Sequence, residues 1–182
     1  MEKTCVVDFD ETLLTLDSTR YMLIKERLYL RLPILFFGLL FLLARALFPR
    51  TWQVGIRRRA KYATLLTLHR SGEDRVIQKY SKDFSQRLNT KLIDTLRHTY
   101  QNIYVVSSAW RPLIQATLAE AGIADFQIIG TELTNDFSQF STCWGEEKAR
   151  RVQALALLPF DLYTDSKDDA PLMRMASNVI MV

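Results

Sequence analysis

The feature that most constrains this chain is a four-residue apolar run, Thr4-Cys5-Val6-Val7, that stops on Asp8-Phe9-Asp10. A short β-prone run with no polar alternation reads as a strand buried on both faces and ending at Asp8. The same form returns at 103–106, 126–129, 161–164 and 178–182, each a short apolar run set between helical or turn sequence. Glu146 opens a predicted helix over 146–157, and 112–121 reads as another, stopped by Gly122. A hairpin arm is expected at 140–143. Strands alternating with helices, without tight hairpins, predict an α/β fold: a Rossmann-like parallel sheet flanked by helices. Ligands of such sheets bind beyond the carboxyl ends of the strands. Three predicted strands finish there on a reactive group: Asp8, Ser107 and Asp165.

Between the first and second strands the pattern changes. Residues 17–100 are rich in Leu, Arg, Lys, Tyr and Ala, with few turn residues, and predict helices near 18–30, 33–48, 51–69, 73–87 and 90–100. The expected organisation is a catalytic core of 1–16 and 101–182 with an all-helical insert of 17–100. With 182 residues, 48% apolar and 24% charged, the chain has ample material for one core and a small lid, and wholesale disorder is excluded. Residues 1–8 lack the basic region and long apolar stretch of a leader, so no cleaved segment is expected. Cys5 and Cys143 share no metal-ligand spacing and are expected to be reduced, inert thiols.

Asp8 and Asp10 sit two residues apart on an extended backbone, where side chains at that spacing share a face. Such a pair can hold one hard cation and divide labour as nucleophile and general acid–base; an Asp-rich turn capping the next helix would look the same. Ser107, after Val105-Val106, can offer a hydroxyl to a phosphate oxygen, and either it or the adjacent Ser108 could instead cap a helix. Lys148 sits one turn into a predicted helix, a place more often occupied by a solvated lysine. Asp165-Ser166-Lys167-Asp168-Asp169 adds carboxylates after the fourth strand, or is simply an acidic turn.

Taken in order, Asp8-x-Asp10-x-Thr12, Ser107 after an apolar strand, Lys148, and Asp165 with Asp169 resemble the four motifs of the haloacid dehalogenase superfamily. The resemblance runs from residue 4 to about residue 173. It implies a Mg²⁺-dependent phosphomonoester hydrolase. In it Asp8 is the nucleophile, forming an aspartyl-phosphate, and Asp10 the general acid and base. Ser107 and Lys148 hold the phosphoryl group. Asp8, Asp165 and the Asp10 carbonyl bind the metal. Asp169 orients Lys148 or the metal shell, and Thr12 steadies the turn. An Asp at position 10 separates the superfamily's phosphatases from its dehalogenases. The branch most resembled is the phosphoserine-phosphatase-like one, whose helical cap is inserted after the first motif. Within it, 143–148 and 163–172 are similar to the phosphatidylglycerophosphatase C enzymes.

Residues 32–44 are apolar throughout, but thirteen residues between Arg31 and Arg45 fall short of the roughly 20 needed to cross a bilayer. A helix apolar on all sides must be buried in something. The expectation is a cap helix dipping into a membrane through Phe36, Phe37 and Phe41, with Arg31, Arg45 and the basic residues Arg57, Arg58, Arg59 and Lys61 against anionic headgroups; a core helix of the cap or a dimer contact are the alternatives. This places the protein in the cytoplasm at the inner face of the cell membrane, acting on a lipid phosphate such as phosphatidylglycerophosphate. A soluble phosphatase for a small metabolite and a non-catalytic membrane-bound scaffold are the competing readings. The net charge of +4 is too small to identify a partner. Nucleic acid is not expected, because no aromatic platform accompanies the Arg57-Arg58-Arg59 run.

Overall fold

A computed structural model of the chain describes residues 3–28, 36, 39, 40 and 50–182. Strand β1 (Thr4–Val7) lies at the centre of a five-stranded sheet. It pairs in parallel with β2 (Asn102–Trp110) on one side and β4 (Asp161–Thr164) on the other. Strands β3 (Gln127–Thr131) and β5 (Asn178–Met181) form the edges, giving the order β3-β2-β1-β4-β5 with every pair parallel. A central strand in such a sheet has no solvent face. Alternate residues of β1 therefore enter different cores, with Cys5 and Val7 in one cluster and Val6 in the other. The unbroken apolar run in the sequence is the consequence of that double burial.

Four described helices are inserted between β1 and β2: α1 (Ser18–Lys25), α2 (Arg50–Arg70), α3 (Glu73–Ser85) and α4 (Thr90–Thr99). Asp17 caps α1 by accepting from the Arg20 N–H at 2.8 Å, and Asn89 caps α4 through the Leu92 N–H at 3.1 Å. On α3, Val76, Tyr80 and Phe84 recur every fourth residue and bury one face. Helix α5 (Arg111–Glu120), after β2, packs against α3. Leu65 and Leu68 of α2, Ile93 and Leu96 of α4 and the sheet residues Val7 and Val105 all belong to one apolar cluster. The other face of the sheet is covered by α6 (Glu146–Ala154) and α7 (Ala170–Met173), which close over Val6, Val106 and Leu162.

Two local expectations fail for identifiable reasons. β2 does not end before Ser107: it continues to Trp110, with a register shift against β3 between Val106 and Trp110. Ser107 thus sits in an irregular stretch of strand, where a bulge can re-aim side chains. Residues 140–143 form no hairpin arm, since they are tied to the sheet by a side chain instead of a ladder: the Cys143 N–H donates to Thr131 Oγ1 at 3.1 Å. Of the predicted helix over 33–48 only residues 36, 39 and 40 are described, all three helical; Arg31, Phe37, Phe41 and Arg45 lie outside the described residues. Both cysteines are free and buried, and burial pushes Cys5 up to about 12 and Cys143 up to about 11, so neither is a reactive thiolate.

Where β3 meets α5 the backbone comes close enough to require glycine. A Cβ on Gly130 would lie 2.8 Å from the Arg111 Cβ and 2.9 Å from its Cα. Gly130→Ala should therefore lower stability by about 1–3 kcal/mol, as overpacking does elsewhere, read as a reduced urea midpoint. An unchanged midpoint would show that the contact relaxes freely.

Candidate active site

β1 and β4 are neighbours, so Asp8 and Asp165 emerge side by side at the carboxyl edge of the sheet. The Asp8 N–H extends the ladder by donating to the Tyr163 carbonyl at 2.9 Å. One Asp8 oxygen accepts from the Phe9 N–H at 2.7 Å, and the other lies 3.1 Å from the Lys148 ammonium. Lys148 comes from the first turn of α6 and is only 2% exposed. Its Nζ also donates to Asp169 Oδ2 at 2.7 Å, and that same oxygen accepts the Thr164 hydroxyl at 2.7 Å. A buried chain therefore runs from Thr164 through Asp169 and Lys148 to Asp8. Burial acts to lower the Lys148 pKa, but the two carboxylates outweigh it and hold the lysine above its usual value. The Asp8 carboxyl is pushed up by burial, against the opposing pull of Lys148 and a hydrogen bond from Ser107.

Asp10 is placed differently from Asp8. Its carboxylate accepts the Ser18 N–H at 2.9 Å, at the start of α1. Burial first, and then the charge of Asp17, push its pKa up to about 7, against the lowering effect of Lys61 and Ser18. A carboxyl in that range can hold a proton or release it near neutrality, which suits acid–base work. Asp165 Oδ1 accepts the Thr12 hydroxyl at 3.2 Å, joining the loop after β1 to the loop after β4. In that first loop Glu11 has φ 57°, the left-handed conformation that makes the turn tight. Ser107 is buried and accepts from the Ala109 N–H at 3.2 Å, whereas Ser108 lines the open space.

These groups surround a cavity of about 90 Å³ walled by Asp8, Asp10, Lys148, Asp165 and Asp169. Four of those five groups are carboxylates, hard oxygen donors of the kind that suits Mg²⁺. Among the described residues no three His, Cys, Asp or Glu side chains are grouped to hold a metal ion. A set of two carboxylates, Asp8 and Asp165, with the Asp10 carbonyl fits the residues present, because Mg²⁺ usually keeps several waters and takes few protein ligands.

Helix α2 brings cations to the same place. Arg57 and Lys61, one turn apart, both face the space around Asp10 and Asp17. The Arg57 guanidinium lies 4.2 Å from the centre of the Trp144 ring and 3.7 Å from Asp168. Arg58 turns elsewhere, donating to the Phe137 and Ser138 carbonyls at 2.7 and 3.0 Å. Tyr62 packs edge-on against Phe137 and Phe140 with centroids 5.1 Å away in each case. The expectation that Arg57, Arg58 and Lys61 face a membrane is therefore corrected: the 3.6-residue period of α2 spends them on the site and on the 132–145 loop.

The haloacid dehalogenase-like hydrolase family model matches residues 5–174. The chain belongs to that family. Solved structures show the same fold at low identity. A phosphoserine phosphohydrolase-like protein from Francisella tularensis is 15% identical with a TM-score of 0.60, over 100% of this chain and 87% of that one. A protein of unknown function from Bordetella pertussis is 18% identical with a TM-score of 0.52, over 100% and 90%. A cytosolic 5'-nucleotidase IIIB bound to cytidine is 12% identical with a TM-score of 0.53, over 98% and 72%. No curated protein matches the sequence significantly.

As a haloacid dehalogenase-like hydrolase the chain is an enzyme, and the structure brings Asp8, Asp10, Thr12, Ser107, Lys148, Asp165 and Asp169 to one edge of the sheet. Sequence reasoning missed Thr164, Asp17, Arg57 and Lys61. Phe36, expected at a membrane, is exposed, and no helix among the described residues is long and apolar enough to cross one. Thr164 offers the sharpest check on the buried chain. Thr164→Val keeps the shape and removes both the hydrogen bond to the Asp169 carboxylate and the acceptor of the Ser166 N–H, and should cost at least about 1.5–3 kcal/mol in chemical denaturation. A change under a few tenths would mean that Asp169 does not depend on it.

Proposed function

We propose that this enzyme is a Mg²⁺-dependent phosphomonoester hydrolase working through an aspartyl-phosphate on Asp8. The observation that carries this reading is the buried Lys148 held between Asp8 and Asp169 at the carboxyl edge of the sheet. An Asp8 oxygen attacks phosphorus as the bond to the leaving alcohol breaks, and Asp10 gives its proton to the departing oxygen. Asp10 then takes a proton from water, whose oxygen attacks the same phosphorus, releasing inorganic phosphate and restoring the Asp8 carboxylate. Lys148 and the Ser107 hydroxyl hold the equatorial oxygens of the phosphoryl group. Asp169, fixed by Thr164, keeps the lysine aimed. Asp8, Asp165 and the Asp10 carbonyl would hold Mg²⁺, which supplies charge neutralisation between the carboxylate and a phosphate dianion.

The substrate favoured is a small, water-soluble phosphomonoester. The space next to Asp10 is lined by Thr19, Thr64, Lys61 and Arg57 beside Leu23 and Ala60, which gives it charged and hydroxyl groups to meet a polar molecule. Likeness to a phosphoserine phosphohydrolase-like fold is in keeping with this choice and with membership of that branch. Residues 17–100 act as the cap, and α2 is the part that bears on the site. A lipid phosphate at a membrane surface is the second reading, supported by exposed Ile24, Phe36, Leu39 and Val54 in the insert.

The test is phosphate release from a panel of soluble and lipid phosphomonoesters, with and without Mg²⁺. Release should require Mg²⁺, be indifferent to detergent, and fall by roughly a thousandfold or more in Asp8→Asn. Activity confined to lipid micelles would favour the second reading. Wild-type turnover in Asp8→Asn would remove the proposal.

A further inference from the structure

Strand β2 is irregular where it passes the site. Between the pairs Val106–Ile129 and Trp110–Thr131 it spends residues 107, 108 and 109 against the single residue 130 of β3. Surplus residues in one strand lose their ladder partners, so the backbone groups of a bulge have to be satisfied in other ways. Two hydroxyls do this here. Ser107 Oγ accepts the Ala109 N–H at 3.2 Å, and Thr131 Oγ1 donates to the Ser108 carbonyl at 2.8 Å. The same Thr131 oxygen accepts the Cys143 N–H at 3.1 Å. A backbone N–H only donates and a hydroxyl has one proton, so the direction of both Thr131 bonds is fixed. Thr131 has no exposed surface, and water does not compete for its hydroxyl.

Thr131 thus ties together two stretches of chain that wall the cavity at Asp8, one at Ser108 and one at Cys143-Trp144. Ser107 opens the bulge, and its hydroxyl bonds to Asp8. The aim of that hydroxyl depends on how the bulge is held, because it hangs on irregular backbone and not on a regular ladder. Without the Thr131 hydroxyl, the Ser108 carbonyl and the Cys143 N–H both lose a partner, a cost that a shift of the bulge would relieve. We infer that Thr131 is a positioning residue: its hydroxyl holds the 107–109 bulge in the shape that aims Ser107 at the transferring phosphoryl group. This assignment rests on the phosphatase reading and adds to it a residue that acts through Ser107 without touching substrate.

The test is a double-mutant cycle on hydrolysis of p-nitrophenyl phosphate by the full chain with Mg²⁺, at a temperature well below the unfolding midpoint of every variant. Thr131→Val should lower kcat by about tenfold or more with a smaller change in KM, since a misplacement of ~1 Å costs about a hundredfold. Thr131→Ser, which restores the hydroxyl, should recover most of that loss. In a Ser107→Ala background Thr131→Val should cost less than about twofold, because the side chain it positions is gone. Thr131→Ala carries the comparison if the Val variant does not fold. An unchanged kcat in the folded variant, with only the unfolding midpoint lowered, overturns the assignment. So does an equal loss with and without the Ser107 hydroxyl. Turnover that is indifferent to Asp8→Asn overturns the phosphatase reading beneath it as well, whereas Asp8-dependent turnover that ignores Thr131→Val overturns the assignment of Thr131 alone.

Discussion

The Lys148 ammonium, 2% exposed and held 3.1 Å from Asp8 and 2.7 Å from Asp169, is the interaction on which the rest of the site depends. A buried cation survives only with opposite charge and hydrogen bonds around it, and removing one partner of such a group typically costs about 3–5 kcal/mol. Two carboxylates and the Thr164 hydroxyl meet that condition here. The arrangement requires α6 to lie against the face of the sheet that carries Val6, Val106 and Leu162, with Ala149 and Val152 buried next to Lys148. Packing of one face thus fixes the position of a charge on the edge, and that charge fixes Asp8. Stability and reactivity share the same atoms.

The insert completes what the sheet begins. Helix α2 is anchored by Leu65 and Leu68 in the core cluster, by Arg58 on two loop carbonyls and by Tyr62 between Phe137 and Phe140. With its position set, residues one turn apart, Arg57 and Lys61, reach the same space as Asp10. The loop of 132–145 is therefore attached to α2 through aromatic and arginine contacts, to β3 through Thr131 and to α6 through Arg151, which donates to Ser141. On the proposed mechanism, the reacting groups come from the carboxyl edge of the sheet and the start of α6, while α2 of the insert borders the space next to Asp10.

Much of this is legible in the chain because the strands are short and doubly buried. Residues 161–164 read as a strand and form one with the same bounds, and Asp8, Lys148, Asp165 and Asp169 stand at element ends where their local sequence places them. Thr164 could not be found that way, since a threonine closing a strand is ordinary and its value comes from Asp169, five residues on. Ser107 was expected at a strand end, but the register shift that follows Val106 depends on β3, which a local pattern does not contain. The Arg57-Arg58-Arg59 run looks like one basic surface when read as a string. Read at helical spacing, Arg57 with Lys61 points one way and Arg58 with Tyr62 another, and that i, i+4 signal was available in the sequence.

The central claim is that Asp8 carries the phosphoryl group in turnover. It is tested most directly by quenching the working enzyme in acid and locating the label by peptide mass spectrometry. A phosphate-sized increment should appear on the peptide containing Asp8, and borohydride reduction should convert that residue to homoserine. Turnover with no covalent phosphate at Asp8, or with the increment on another residue, would contradict the account.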